Sequence, residues 1–303
     1  MNEVFALFVA NPALFVGVVF VLGLIVGSFL NVVIYRLPIM LKRDWQAQCA
    51  ELTAAADAAG TPAPAGPAER FDLVAPRSRC SACGHRIRVV ENIPVLSYLI
   101  LRGRCSACGT AIGARYPLVE LGTGLLSAVV AWHFGPGWTA VFALVFTWML
   151  IAAAGVDFDE QLLPDIITLP LLWLGLLVSL GGTPQAPLFA DPRSAIVGAA
   201  AGYLSLWLLY HVYKRLTGKE GMGYGDFKLL GALGAWMGWQ LLPLIILLSA
   251  VVGALLGGAL MAFRGRDHQI PMPFGPFLAA AGWVALLWGQ ELVGFYLEVS
   301  GLG

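Results

Sequence analysis

The sequence predicts an all-α polytopic membrane protein, with about eight transmembrane helices and a small zinc-ribbon-like cytoplasmic domain inserted after the first helix. Three observations carry that expectation. Of 303 residues, 59% are hydrophobic and 12% charged, whereas a soluble domain holds roughly 45–50% and roughly 25%. Apolar runs of about 20 residues, enough to cross the hydrocarbon core, recur along most of the chain. Four of the 5 cysteines fall in one short polar stretch, which reads as metal chemistry rather than as a disulfide framework. The 18 basic and 18 acidic residues cancel, so no global field favours nucleic acid as a partner, and the lipid bilayer is the implied surrounding.

The first span, 13–35, has the position of a signal peptide but no basic start and no A-x-A-like cleavage site, and its far end is basic; it is read as retained. Residues 36–116 form the one sizeable polar segment. Within it, 44–68 is rich in Ala and carries a Pro/Gly stretch at 60–67, which predicts a short helix and then a flexible linker. Seven further spans follow at 117–133, 138–155, 166–181, 194–213, 222–239, 241–263 and 274–297. Residues 226–263 hold too many apolar side chains for one crossing and break at Gly238-Trp239-Gln240 and Pro243, so a helical hairpin is expected there. The chain thus divides into a first transmembrane helix (1–35), a cytoplasmic domain (36–116) and a seven-helix membrane domain (117–303).

Orientation follows from the basic residues, which concentrate in cytoplasmic loops. Residues 36–115 hold 11 of them, 214–228 hold 4, and Arg264 and Arg266 add 2, leaving Arg193 alone on the other side of an eight-span arrangement with both termini outside.

Cys80-Ser-Ala-Cys83-Gly and Cys105-Ser-Ala-Cys108-Gly are two knuckles with 21 residues between them. Thiolates at i and i+3 on a tight turn face one metal, and two such turns supply a four-sulfur tetrahedron suited to Zn2+. The alternative is two redox or disulfide pairs, which a reducing cytoplasm disfavours. With all four positions filled by Cys80, Cys83, Cys105 and Cys108 the metal is structural. Cys49 stands apart as an ordinary thiol, and His85 reads as a surface or supporting residue rather than a ligand.

Carboxylates beside an apolar span are functional candidates when they face the protein interior, and solvated helix ends otherwise. Asp157, Asp159, Glu160 and Asp165 cluster where the third span meets the fourth, after a small-residue stretch, Ala152-Ala-Ala-Gly155. Asp226 opens the sixth span within Gly221-Met-Gly223-Tyr-Gly225-Asp226-Phe-Lys228. Three alternate glycines there disfavour regular helix and admit close backbone approach. If Asp157 and Asp226 meet, one carboxyl protonated and one ionised, they form an aspartic-protease dyad. A proton relay in a transporter with a structural zinc domain uses the same residues, and structural carboxylates are the third reading.

At this level of detail the chain resembles the bacterial type IV prepilin leader peptidase/N-methyltransferase family, a GxGD-type aspartic peptidase. The resemblance covers nearly the whole length. It is carried by Gly27-Ser-Phe-Leu-Asn31-Val-Val-Ile-Tyr-Arg36-Leu-Pro38, the two knuckles, Glu91-Asn92-Ile-Pro94-Val-Leu-Ser97-Tyr98, and Leu101-Arg102-Gly103-Arg104-Cys105. Arg115-Tyr116-Pro117-Leu-Val-Glu120, Asp157 with Leu163-Pro164-Asp165, and Gly223-Tyr-Gly225-Asp226-Phe-Lys228 complete it. It implies that Asp157 and Asp226 are catalytic, with Asp159, Asp165, Gly223, Gly225 and Lys228 supporting them, and that 117–303 is the peptidase domain. It implies substrates too: type IV prepilins and type II secretion pseudopilins, cut after a Gly at the cytoplasmic face of the bacterial inner membrane. It further implies methylation of the new N-terminus by S-adenosyl-L-methionine, for which Asn31 and Glu120 are cofactor-site candidates; Glu120 is equally readable as a capping or charge-pairing residue. One departure is Cys-Ser-Ala-Cys in the first knuckle, where the family often has Cys-Pro-x-Cys. The competing classes are the transporter and a noncatalytic assembly factor. Oligomeric state has no signature in the chain.

Overall fold

The computed structural model describes residues 2–56, 71–183, 186–264 and 273–301. The expected Pro/Gly linker at 60–67 lies outside the described residues. Among them the chain forms α1 (Asn2–Ala10), α2 (Pro12–Ala56), α3 (Leu96–Ile100), α4 (Arg115–Phe134) and α5 (Trp138–Glu160). It continues through α6 (Asp165–Ser179), α7 (Pro192–Thr217), α8 (Tyr224–Met237), α9 (Leu242–Arg264) and α10 (Gly275–Ser300). A two-residue antiparallel pair, β1 (Gly182–Thr183) with β2 (Ala186–Pro187), closes the turn after α6.

Each of the eight expected spans coincides with a helix, and among the described residues six helices are long and apolar enough to cross a bilayer. This is a multi-pass membrane protein. The other two, α6 and α8, have 15 and 14 residues, about 22 and 21 Å at 1.5 Å per residue, against about 30 Å of hydrocarbon. Their ends have identifiable stops. Pro164 precedes α6, and Gly238, at φ 78°, ends α8 before the three-residue turn Trp239–Leu241 and α9, which makes the expected hairpin. At the other extreme, α2 runs on through Pro38 for 45 residues, so the first span and the helix expected after residue 44 are one element.

The chain separates into two compact units, Gly17–Ala128 on one hand and Met1–Val16 with Val129–Gly303 on the other. In the larger unit α8 is the centre. Apart from Lys228, every residue from Asp226 to Met237 is buried, the pattern of a helix enclosed on all sides. It touches α6, α7 and α10. Against α7 the approach is backbone to backbone: a Cβ on Gly234 would collide with the Gly198 carbonyl, and one on Gly202 would lie 2.6 Å from the Leu230 carbonyl oxygen. Against α6, the Trp236 indole N–H donates to the Leu171 carbonyl oxygen at 2.8 Å, over Gly175. Against α10, Leu233 fills the space over Gly282. Gly231 and Gly234 therefore serve packing within the protein. Gly234→Ala is expected to destabilise the bundle by roughly 3 kcal/mol, the upper end of overpacking penalties because neither backbone can give way. A lower thermal unfolding midpoint of the detergent-solubilised protein checks this.

Candidate active site and metal centre

Asp157 lies in the last turn of α5, which stops at Gln161, a left-handed residue (φ 53°) that donates its N–H back to the Asp157 carbonyl. A helix C-terminus is the unfavourable end for a carboxylate, so the side chain needs a donor from elsewhere. It finds one in the backbone N–H of Gly275, 3.0 Å from Oδ2, at the start of α10. Only glycine brings that amide so close. A Cβ at 275 would sit 2.5 Å from the same oxygen and 3.0 Å from Leu163 Cδ1.

Asp226 occupies the first turn of α8, the end of a helix that favours a carboxylate. Gly223 caps that turn, its carbonyl accepting the Asp226 N–H at 3.3 Å. Gly225 rests on Leu163, whose Cβ would be 2.5 Å from a Cβ at 225. Leu163 thus touches the glycine beside each acid, which brings the two acids to one place in the bundle. Both are buried, Asp157 at 5% exposure and Asp226 at 7%.

The expectation of irregular backbone at Asp226 is corrected. Gly221 and Gly223 precede the helix, but Gly225 and Asp226 are helical, and the missing Cβ of Gly225 serves close approach to Leu163 rather than a break. Of the other candidates, Lys228 Nζ bonds Asp165 Oδ1 at 2.6 Å, joining the start of α6 to α8 two residues from Asp226. Such a partly exposed pair contributes at most about 1 kcal/mol of stability, so its significance is the register it imposes. Asp159 is exposed at the end of α5, outside the buried pair. The sequence reading missed Gly275. Its trace is Phe274-Gly275-Pro276, a helix start with Pro in the first turn, but nothing in that pattern says which side chain the amide will meet.

In the smaller unit the two knuckles are copies in their hydrogen bonds. Cys80 N–H bonds His85 O and Gly84 N–H bonds Cys80 O; Cys105 N–H bonds Thr110 O and Gly109 N–H bonds Cys105 O. Gly84 and Gly109 both have φ 71°, a conformation glycine adopts without strain. The four Sγ atoms lie within 4.8 Å of one another, with Cys80 and Cys108 at 3.8 Å, the edge of a tetrahedron whose metal–sulfur bonds are about 2.3 Å. These residues could hold a metal ion. Glu91 ties the knuckles together, accepting from Ser106 Oγ at 2.6 Å and Arg88 N–H at 2.8 Å and pairing with His85 Nε2 at 3.3 Å. The Arg88 amide, then the Ser106 hydroxyl, hold its carboxyl down at about 2. A depressed carboxylate stabilises the module above its ordinary value near 4.5 and loses that effect as pH falls toward 2. His85 is engaged with Glu91, as expected of a supporting residue. Cys80→Ser or Cys105→Ser should lower bound metal, checked by elemental analysis of the purified protein; full stoichiometry would contradict the four-thiolate site.

Asn31 Nδ2 donates to the Tyr116 carbonyl at 3.0 Å, and Glu120 Oε2 accepts the Val95 N–H at 2.7 Å. Both recorded contacts are to backbone and hold α2, α4 and the 92–95 turn together.

Residues 21–134 match the family described as Bacterial Peptidase A24 N-terminal domain, and residues 144–258 match the Type IV leader peptidase family. Among curated relatives, a Stutzerimonas stutzeri protein named prepilin leader peptidase/N-methyltransferase is 56% identical over 97% of each chain. Proteins of the same name from Pseudomonas putida and Pseudomonas aeruginosa are each 53% identical, over 96% of both chains in the first case and 96% of this chain and 97% of the relative in the second. No solved structure matches. The relatives give the transporter alternative no support. With identity at this level over nearly the full length, and with the acid pair and the four cysteines in place, the chain belongs to the type IV leader peptidase family.

Proposed function

We propose that the protein is a membrane aspartic endopeptidase that removes the leader of type IV prepilins and type II secretion pseudopilins, and then methylates the exposed N-terminus. The observation that carries the proteolytic half is the convergence of two buried carboxyls, Asp157 and Asp226, around Leu163 and Gly275. With one proton shared between them, the ionised carboxyl takes a proton from water as the water oxygen attacks the scissile carbonyl, and the protonated carboxyl gives its proton to the carbonyl oxygen. Collapse of the tetrahedral species returns a proton to the departing amine. Gly275 and Lys228–Asp165 position the acids; neither supplies protons. The distribution of Lys and Arg supports a cytoplasmic site in the bacterial inner membrane.

The tetrahedral spacing of the thiols supports Zn2+ as the metal, and such an ion would be held by Cys80, Cys83, Cys105 and Cys108 with no position left for a catalytic water. S-adenosyl-L-methionine supplies a methyl group when bound. The relatives' names support this second activity, and Asn31 and Glu120 remain its proposed cofactor-site residues; each also bonds a backbone group, and no chemical step is assigned to them. We also keep the division into 1–35, 36–116 and 117–303 as the functional partition. Incubating the purified protein with a prepilin peptide and S-adenosyl-L-methionine, and weighing the products, tests the reading. Loss of the leader and gain of one methyl group are expected. An intact peptide overturns it, and a cut but unmethylated product leaves the peptidase alone.

A further inference from the structure

We propose that residues 87–101, within the segment expected to be cytoplasmic, lie in the bilayer interface with their apolar side chains against lipid and their flanking arginines against anionic headgroups. The first observation is depth. Two levels of contact exist along α2. Arg36, at the end of its apolar run, donates to the Asp72 and Pro76 carbonyl oxygens, so the polar start of the module sits at the charged end of the crossing. The 92–95 turn sits further in. Asn92 and Pro94 form one wall of a groove whose other wall is Ile25, Ser28, Phe29 and Val32 of α2. The neighbouring Val95 N–H is held by Glu120, which lies against Gly27. Gly27 is nine residues from Arg36 and Glu120 five from Arg115, about 13 Å and about 7 Å along the two helices. The headgroup region on one side of a bilayer is only about 5–7 Å deep.

The second observation is chemistry. Seven large apolar residues between 87 and 100 are exposed, where scattered single ones would be ordinary. In α3 they fall at Leu96, Leu99 and Ile100, the i, i+3, i+4 spacing of one helix face, with Leu99 64% and Ile100 71% exposed. Tyr98 points the other way, into the turn at Gly103. Arg86 precedes it, Arg88 lies at its start, and Arg102 and Arg104 follow it, all exposed, which complements an anionic lipid surface. Val95, a β-branched residue at φ 60°, is held by the Glu120 bond at the point where the segment turns into α3; such a conformation persists only where its surroundings enforce it.

The test uses the full chain in vesicles of phosphatidylethanolamine and phosphatidylglycerol, with photoreactive p-benzoylphenylalanine replacing Leu99. Val21, exposed on the membrane-level part of α2, and Ala107, on a knuckle, serve as reference positions. Variants that bind metal as the parent does are compared by mass spectrometry. Lipid adducts at position 99 should be as abundant as at 21 and absent at 107. Replacing phosphatidylglycerol by phosphatidylcholine should lower the yield at 99 and leave 21 unchanged; an unchanged yield at 99 overturns the role of the arginines. A position 99 as barren of lipid as 107 overturns the proposal, and adducts there to added prepilin alone would make the stripe a substrate-docking face instead.

Discussion

Asp157→Asn and Asp226→Asn each abolish leader cleavage, by about 10²–10⁴-fold or more, while the protein still accumulates in the membrane. The amide has the size of the carboxyl, so the packing around Leu163 and Gly275 survives. What disappears is the ability to pass a proton, which the water-activating and carbonyl-polarising steps both require. The two variants should be equally inactive, because a dyad acts as a unit and removing either member removes the function. Cleavage assayed by the mass of a prepilin peptide decides the matter; activity retained by either purified variant removes the dyad. The same variants dispose of the assembly-factor reading, since a noncatalytic factor would still complement.

Gly275→Ala lowers cleavage turnover by about a hundredfold with little change in KM. The new Cβ would stand 2.5 Å from Asp157 Oδ2, so the carboxyl must rotate away and give up the amide at 3.0 Å. A displacement near 1 Å at a reacting group is enough for a loss of about 10²-fold. Gly282→Ala is the matched control on the same helix. Its Cβ also meets a neighbour at 2.5 Å, but that neighbour is the flexible end of Leu233, so stability falls and turnover stays. If both variants lose turnover equally, the effect belongs to α10 packing and not to the carboxylate.

What the sequence revealed and withheld divides along physical lines. The burial of Asp157 and Asp226 and the clustering of the four cysteines were legible because charge inside an apolar run and paired thiols at fixed spacing are costly without a partner, and so stand out against their surroundings. The all-helical, membrane-embedded character was legible from hydropathy. Crossing length was not: apolar content counts α6 and α8 alike whether a side chain meets lipid or another helix, and α8 is buried along nearly its whole length. The glycines around Asp226 suggested loose backbone, whereas Gly225 and Gly234 are places where another residue presses in. Which partner presses depends on positions far along the chain, Leu163 for Gly225, Gly198 for Gly234 and Asp157 for Gly275, and one chain read in order does not record that. The stripe at 87–100 was visible as letters, but its depth beside Gly27 and Glu120 comes only from the fold.

One acid of the pair rides on a rod clamped along three sides, and the other on the final turn of a helix that ends at a left-handed residue and an exposed corner. A rod wedged glycine to carbonyl against its neighbour has no room to slide. α8 therefore forms the fixed side of the site, and the tip of α5 with the Pro-containing start of α10 forms the other.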